Sequence, residues 1–151
     1  MDISGQIRST CPPDFLVSSL RDARTLARLL PDGSTLEKTT DGQYAFSVTK
    51  GVGPIRLTLP GQMTLTPTGT GHNQLLTARA SHLIGGKVEL DLKLIIDQQG
   101  EHTRLAYSGT LNASGLAGRV LREHHARANS MLKAALTRLK RHAEGQLRDS
   151  A

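Results

Sequence analysis

The sequence predicts an α+β fold in which a curved antiparallel sheet of about seven strands is crossed by one long C-terminal helix, with two short helices after the first strand. Three observations predict it. From about residue 115 to 148, Leu116, Val120, Leu121, Ala128, Met131, Leu132, Ala135, Leu136, Leu139, Ala143 and Leu147 recur at steps of three and four, the spacing of one helical face. Most of the chain before it alternates apolar and polar residues, the period of half-buried strands. Gly, Pro and Asp punctuate those strands at short intervals, and short turns join antiparallel neighbours. A sheet with one apolar face must cover that face, and only the terminal helix is long enough to do so. With 151 residues, one domain over 1–151 is expected.

Each element has its own signal. Ile3 to Thr10 alternates loosely and reads as the first strand, which Cys11-Pro12-Pro13-Asp14 stops. Proline is tolerated in the first turn of a helix, so a short helix starts here with Phe15, Leu16, Val17 and Leu20. Asp22 is placed to cap a second short helix carrying Leu26, Leu29 and Leu30, and Pro31-Asp32-Gly33 ends it. Thr35 to Thr40 is a short polar strand, and Asp41-Gly42 is a hairpin turn. Tyr44, Phe46 and Val48 share one face of the next strand, and Gly51-Val52-Gly53-Pro54 turns it. Ile55, Leu57 and Leu59 follow, and Pro60-Gly61 is expected to interrupt with a bulge or kink before Met63 and Leu65. Leu76, Ala78, Ala80 and His82 form one parity of the fifth strand. Val88, Leu90, Leu92, Leu94 and Ile96 give the cleanest alternation in the chain. Thr103, Leu105 and Tyr107 face one way on the last strand, and Ser114 leads into the helix.

Charge and composition narrow the function classes. The net charge is +6, but residues 114–151 hold eight Lys/Arg against three Asp/Glu, and residues 1–113 hold eleven against ten. Basicity is therefore a property of the terminal helix. Only Phe15, Phe46, Tyr44 and Tyr107 are aromatic, too few for base-stacking platforms, so nucleic acid is disfavoured as a partner. Cys11 is the only cysteine, which rules out an internal disulfide. The opening Met-Asp-Ile-Ser-Gly-Gln-Ile-Arg lacks the apolar stretch of a signal peptide. No run approaches the ~18 apolar residues of a membrane span. A cytoplasmic location is the resulting expectation, with peripheral association at the inner face of the membrane.

The element order resembles the START-like helix-grip fold, the SRPBCC superfamily. Four segments are similar to the carbon monoxide dehydrogenase CoxG family within it. They are Pro12-Pro13-Asp14, Leu26-Ala27-Arg28-Leu29-Leu30-Pro31-Asp32-Gly33, Val48-Thr49-Lys50-Gly51-Val52-Gly53-Pro54-Ile55, and Thr103-Arg104-Leu105-Ala106-Tyr107. The likeness runs from about Asp2 to about Ala143. It departs from the family pattern at Val17, where a Trp is common, and at Asp32, which separates the Leu-Pro from its Gly. The resemblance implies a non-enzymatic binding or transport protein for a hydrophobic small molecule, lipid or quinone-like, held between sheet and helix. It also implies an accessory role beside a carbon monoxide dehydrogenase-type molybdenum hydroxylase.

On that reading Phe46, Leu57, Met63, His82, Leu90, Leu92 and Tyr107 from the sheet, with Leu121, Ala128 and Met131 from the helix, line a cavity. The small or flexible helix residues leave room for a ligand. Arg119, Arg122 and Arg127 form the face for an anionic partner or membrane surface. An enzyme of the same fold, a polyketide cyclase or aromatase, is the alternative. It needs an acid–base pair inside the cavity, for which His82 and Tyr107 are the candidates. No catalytic residue, cofactor or metal is assigned. His124 and His125 are adjacent on a helix, so they diverge by about 100° and cannot share a metal ion as an i, i+4 pair can. A third reading is an interaction module that uses the basic helix face alone.

Overall fold

The computed structural model describes residues 1–149 apart from 53, 70, 83–85 and 124; the side chains at 50–52, 55, 57, 120, 125 and 126 also lie outside the description. The chain runs β1 (Asp2–Ser9), α1 (Pro13–Arg21), α2 (Ala23–Ala27), β2 (Thr35–Thr40), β3 (Gln43–Val52), β4 (Ile55–Pro67), β5 (Gln74–His82), β6 (Gly86–Gln99), β7 (His102–Ala113), α3 (Gly115–Glu123) and α4 (His125–Asp149). The strands form one antiparallel sheet in the order β1-β7-β6-β5-β4-β3-β2. Consecutive strands from β2 to β7 are neighbours, as their short turns require. The first strand closes on the last, which ties the two ends of the sheet region together.

Local chemistry sets the helix starts. Pro13 opens α1, where its missing N–H costs nothing, and Asp14 complements the first turn. Asp22 caps α2: the Thr25 N–H and Thr25 hydroxyl donate to its Oδ2 at 3.2 and 2.9 Å. Both short helices lie where the sequence predicts them, and so does the hairpin turn at Asp41-Gly42.

The register shows how the inner face is filled. One row across the sheet is Leu65, Leu76, Leu92, Gly109 and Ile3. The next two are Gln74, Leu94, Tyr107 and Gly5, then Ile96, Leu105 and Ile7. Every side chain in these rows is buried, and Leu16 and Leu20 of α1 with Leu136, Leu139 and Ala143 of α4 belong to the same core. In the opposite direction along the strands the rows open. Tyr44 and Met63 are buried, but their row continues into partly exposed Ala78, Leu90 and Leu111. The row beyond it, Leu36, Phe46, Gly61, Ala80, Val88 and Ala113, is partly exposed throughout. The sheet thus has a packed end and an open end. The helices follow the same division: α4 packs on β1 and α1, and α3 packs on β6 and β7.

A polar clasp locks the packed end. The Arg21 guanidinium donates from Nη1 to the Leu65 carbonyl at 3.1 Å and to Gln74 Oε1 at 2.9 Å. The Tyr44 hydroxyl donates to the Arg21 carbonyl at 2.5 Å. Gln74 is buried on the inner face of β5, and its amide oxygen is satisfied by this contact.

One expectation for the strands fails. Pro60-Gly61 does not interrupt β4, and the β3–β4 register runs without a shift through Ser47↔Pro60 and Phe46↔Gly61. Leu59 and Met63 are four apart and already share a face, so no bulge is needed to keep parity. Two glycines instead make room for aromatic rings lying across the strand pair. A Cβ at Gly61 would meet Phe46 Cζ at 2.5 Å, and one at Gly5 would meet Tyr107 Cζ at 2.7 Å.

Candidate functional site

The residues predicted to line a cavity divide between the two ends of the sheet. Met63, Leu92 and Tyr107 are buried in the core. Phe46 and Leu90 lie in the open rows and are partly exposed, as are Leu121 on α3 and Ala128 on α4. The Leu57 side chain lies outside the described residues. Thus Phe46, Leu90, Leu121 and Ala128, joined by Ala78, Ala80 and Leu111, make up an apolar surface that the described helix contacts leave partly open.

Met131 and His82 sit differently from expectation. Met131 is 53% exposed. The buried stripe of α4 is Leu132, Leu136, Leu139 and Ala143, with Leu136, Leu139 and Ala143 fully or nearly fully covered. Met131 is rotated about 100° from Leu132, so it lies off that stripe toward solvent. His82 has the inward parity, yet it is the last residue of β5 and is exposed. Parity fixes the face of a strand residue, not its distance from the core.

This placement removes the proposed acid–base pair. Tyr107 stands opposite Leu94, and Leu94 opposite Gln74, at the start of β5. His82 is at the other end of that strand, about 26 Å along it at the usual rise of a strand. The two side chains cannot act on one atom.

Tyr107 has a different partner that the sequence did not suggest. Its hydroxyl donates to Asn129 Oδ1 of α4 at 3.4 Å. Burial pushes the phenol above its ordinary ionisation range, so it is a neutral donor at physiological pH. The pair places a polar contact beside the half-buried helix residues Ala128 and Asn129. Arg119, Arg122 and Arg127 are exposed, as a partner-facing surface requires. Among the described residues, no three His, Cys, Asp or Glu side chains gather as metal ligands, and His124 lies outside them.

Two surface depressions lie away from the predicted lining. A groove of about 490 Å³ is bordered by Pro60, Gly61 and Gln62 of β4, Arg79, Ala80 and Ser81 of β5, and Lys87, Val88 and Glu89 of β6. Sequence reasoning missed it because it arises from the parting of two strands, not from any motif. A smaller cleft of about 190 Å³ lies between Thr10 and the end of α4, at Arg141, Glu144, Leu147 and Arg148. Outside both, the polar face of the sheet is held by ion pairs. Arg104 donates to both carboxylate oxygens of Asp97 at 3.1 and 2.7 Å, which holds that carboxyl below its usual range.

Among the described residues, no helix is long and apolar enough to cross a membrane. Solved structures with the same architecture include a conserved protein from Geobacillus kaustophilus, with a TM-score of 0.79, 15% identity and 95% of each chain covered. The ZhuI aromatase/cyclase from Streptomyces sp. R1128 matches with a TM-score of 0.68 and 16% identity over all of this chain and 98% of its own. A STAR-related lipid transfer protein from Xanthomonas axonopodis matches with a TM-score of 0.62 and 15% identity over 93% of this chain and 84% of its own. At these identities the likeness establishes the helix-grip fold. No curated protein matches the chain in sequence. A family model, that of carbon monoxide dehydrogenase CoxG, matches residues 5–144.

Proposed function

This chain belongs to the carbon monoxide dehydrogenase CoxG family, and we propose that it binds and carries a hydrophobic small molecule, lipid or quinone-like, between the open end of the sheet and α3–α4. One observation carries the reading. The inner face is apolar along its whole length, but only one end is packed. Phe46, Ala78, Leu90 and Leu111 stay partly exposed although they face inward. Apolar surface left open on the inner face of a sheet is surface that a ligand can cover, at about 25 cal/mol for each Å² removed from water. The Tyr107–Asn129 contact supplies a polar end point at which a ligand oxygen can be oriented.

The reading extends to a partner. As a CoxG relative the chain serves beside a molybdenum hydroxylase of the carbon monoxide dehydrogenase type, on the cytoplasmic side, as a single domain. Exposed Arg119, Arg122 and Arg127 offer the surface for an acidic partner or an anionic membrane. Separation of His82 from Tyr107 disfavours the cyclase alternative.

Native mass spectrometry and organic extraction of the purified protein test the binding. An apolar molecule that co-purifies at stoichiometric amounts, and is displaced by N-phenyl-1-naphthylamine, supports it. Absence of both co-purifying ligand and probe binding contradicts it. The partner is tested by co-purification with and without charge reversal at the three arginines.

A further inference from the structure

We propose that the ligand reaches the inner face through a fork in the sheet between β4 and β5, a reading that rests on the binding function above. The β4–β5 ladder runs from Pro67↔Gln74 to Gly61↔Ala80 and stops there. The strands do not stop. From Pro60 back to Ile55, β4 continues paired to β3 alone. Beyond Ala80, β5 continues with Ser81 paired to Lys87 of β6. The next rung of the ladder would be Pro60↔Ser81. Proline has no N–H to give to a ladder and is tolerated where a strand is an edge. Pro60 therefore stands at the one step where the two hairpins part, and it opposes their zipping further.

The fork opens where a passage is useful. The groove of about 490 Å³ sits on it, with Pro60 and Gly61 on one bank and Ala80 and Ser81 on the other. Gly61, Ala80 and Val88 belong to the partly exposed inner row, so the groove floor adjoins the apolar surface assigned to the ligand. Both residues of the last rung are small. The side chain nearest this rung on the inner side is Phe46, whose ring lies against Gly61. Its movement clears the passage with no break in the backbone ladder. On the outer side Arg79 is held by Asp91 at 3.0 Å and lies 4.0 Å from Glu89, which keeps it along the rim.

A plug placed in the groove tests the passage. Ser81→Cys, labelled with a bulky aromatic maleimide, fills the outer mouth. Cys11 is completely buried, so the label goes to the introduced thiol. Gln6→Cys on exposed β1, labelled the same way, is the control. Binding of N-phenyl-1-naphthylamine is followed by stopped-flow fluorescence. The labelled Ser81→Cys protein is expected to take up and release the probe roughly tenfold more slowly than the labelled control, with the equilibrium affinity unchanged, since a passage sets rates and not the end state. Exchange at the control rate overturns the fork as portal and leaves the binding function standing. A wild-type chain that binds no probe and carries no ligand overturns both.

Discussion

Truncating two leucines of one strand measures the difference between the packed and open ends of the sheet. Leu90 and Leu94 lie four residues apart on β6 and face the same way. Leu94 is completely buried and sits opposite Tyr107 and Gln74 in the filled core. Leu90 lies between Ala78 and Leu111 in the opening row and is partly exposed. Leu94→Ala removes buried carbon and leaves a cavity that the neighbours cannot collapse into, a loss of about 3–4 kcal/mol. Leu90→Ala removes side-chain carbon that water already reaches, a loss of about 1 kcal/mol. For a chain of this size these correspond to falls in Tm of roughly 10 °C and 3 °C. Urea unfolding of the ligand-free protein with a common m-value reads the two directly. The order reverses for binding: Leu90→Ala weakens the apolar probe, and Leu94→Ala leaves its affinity unchanged. Equal stability losses for the two variants would refute the division of the inner face into a packed and an open end.

Three further outcomes follow from named contacts. Gly5→Ala places a methyl against the Tyr107 ring and is expected to cost about 1–3 kcal/mol in chemical denaturation, most of it recovered when Tyr107→Leu is added. Arg21→Ala leaves the buried Gln74 oxygen and the Leu65 carbonyl without their donor and costs about 2–3 kcal/mol, whereas Tyr44→Phe, which loses one hydroxyl donor, costs about 1 kcal/mol. The third concerns pH. Arg104 depresses the Asp97 carboxyl, so the pair stabilises the fold above the ordinary carboxylate range and that contribution disappears as pH falls through the depressed value. Arg104→Ala should remove that part of the acid dependence, seen as a flatter Tm-against-pH curve below the usual carboxylate range.

Much of the fold is legible in the sequence because its signals are local. Alternation from Val88 to Ile96 marks β6 and its inner face, Asp22 marks a helix start, and Asp41-Gly42 marks a turn. The site is less legible because burial depends on what lies across the sheet. His82 has the right parity and the wrong end of the strand. Met131 has the right spacing from Ala128, but the stripe that packs is centred on Leu132, Leu136 and Leu139. Parity read forward from Leu59 to Met63 would have shown β4 to be continuous. Gln74 carried a signal that could have been used: a polar residue on the apolar parity needs a buried partner, and Arg21 is that partner. The fork between β4 and β5 has no such signal beyond Pro60 itself, since where a ladder stops is a property of two strands at once.

The central claim is that a hydrophobic molecule lies between the open end of the sheet and the terminal helices. Nuclear Overhauser contacts from bound N-phenyl-1-naphthylamine to assigned side chains test it most directly. Contacts are expected to Phe46, Ala78, Leu90 and Leu111, and to Leu121 or Ala128 on the helices. A saturated complex whose contacts fall only outside that set, on the outer face of the sheet or at the exposed basic face, would contradict it.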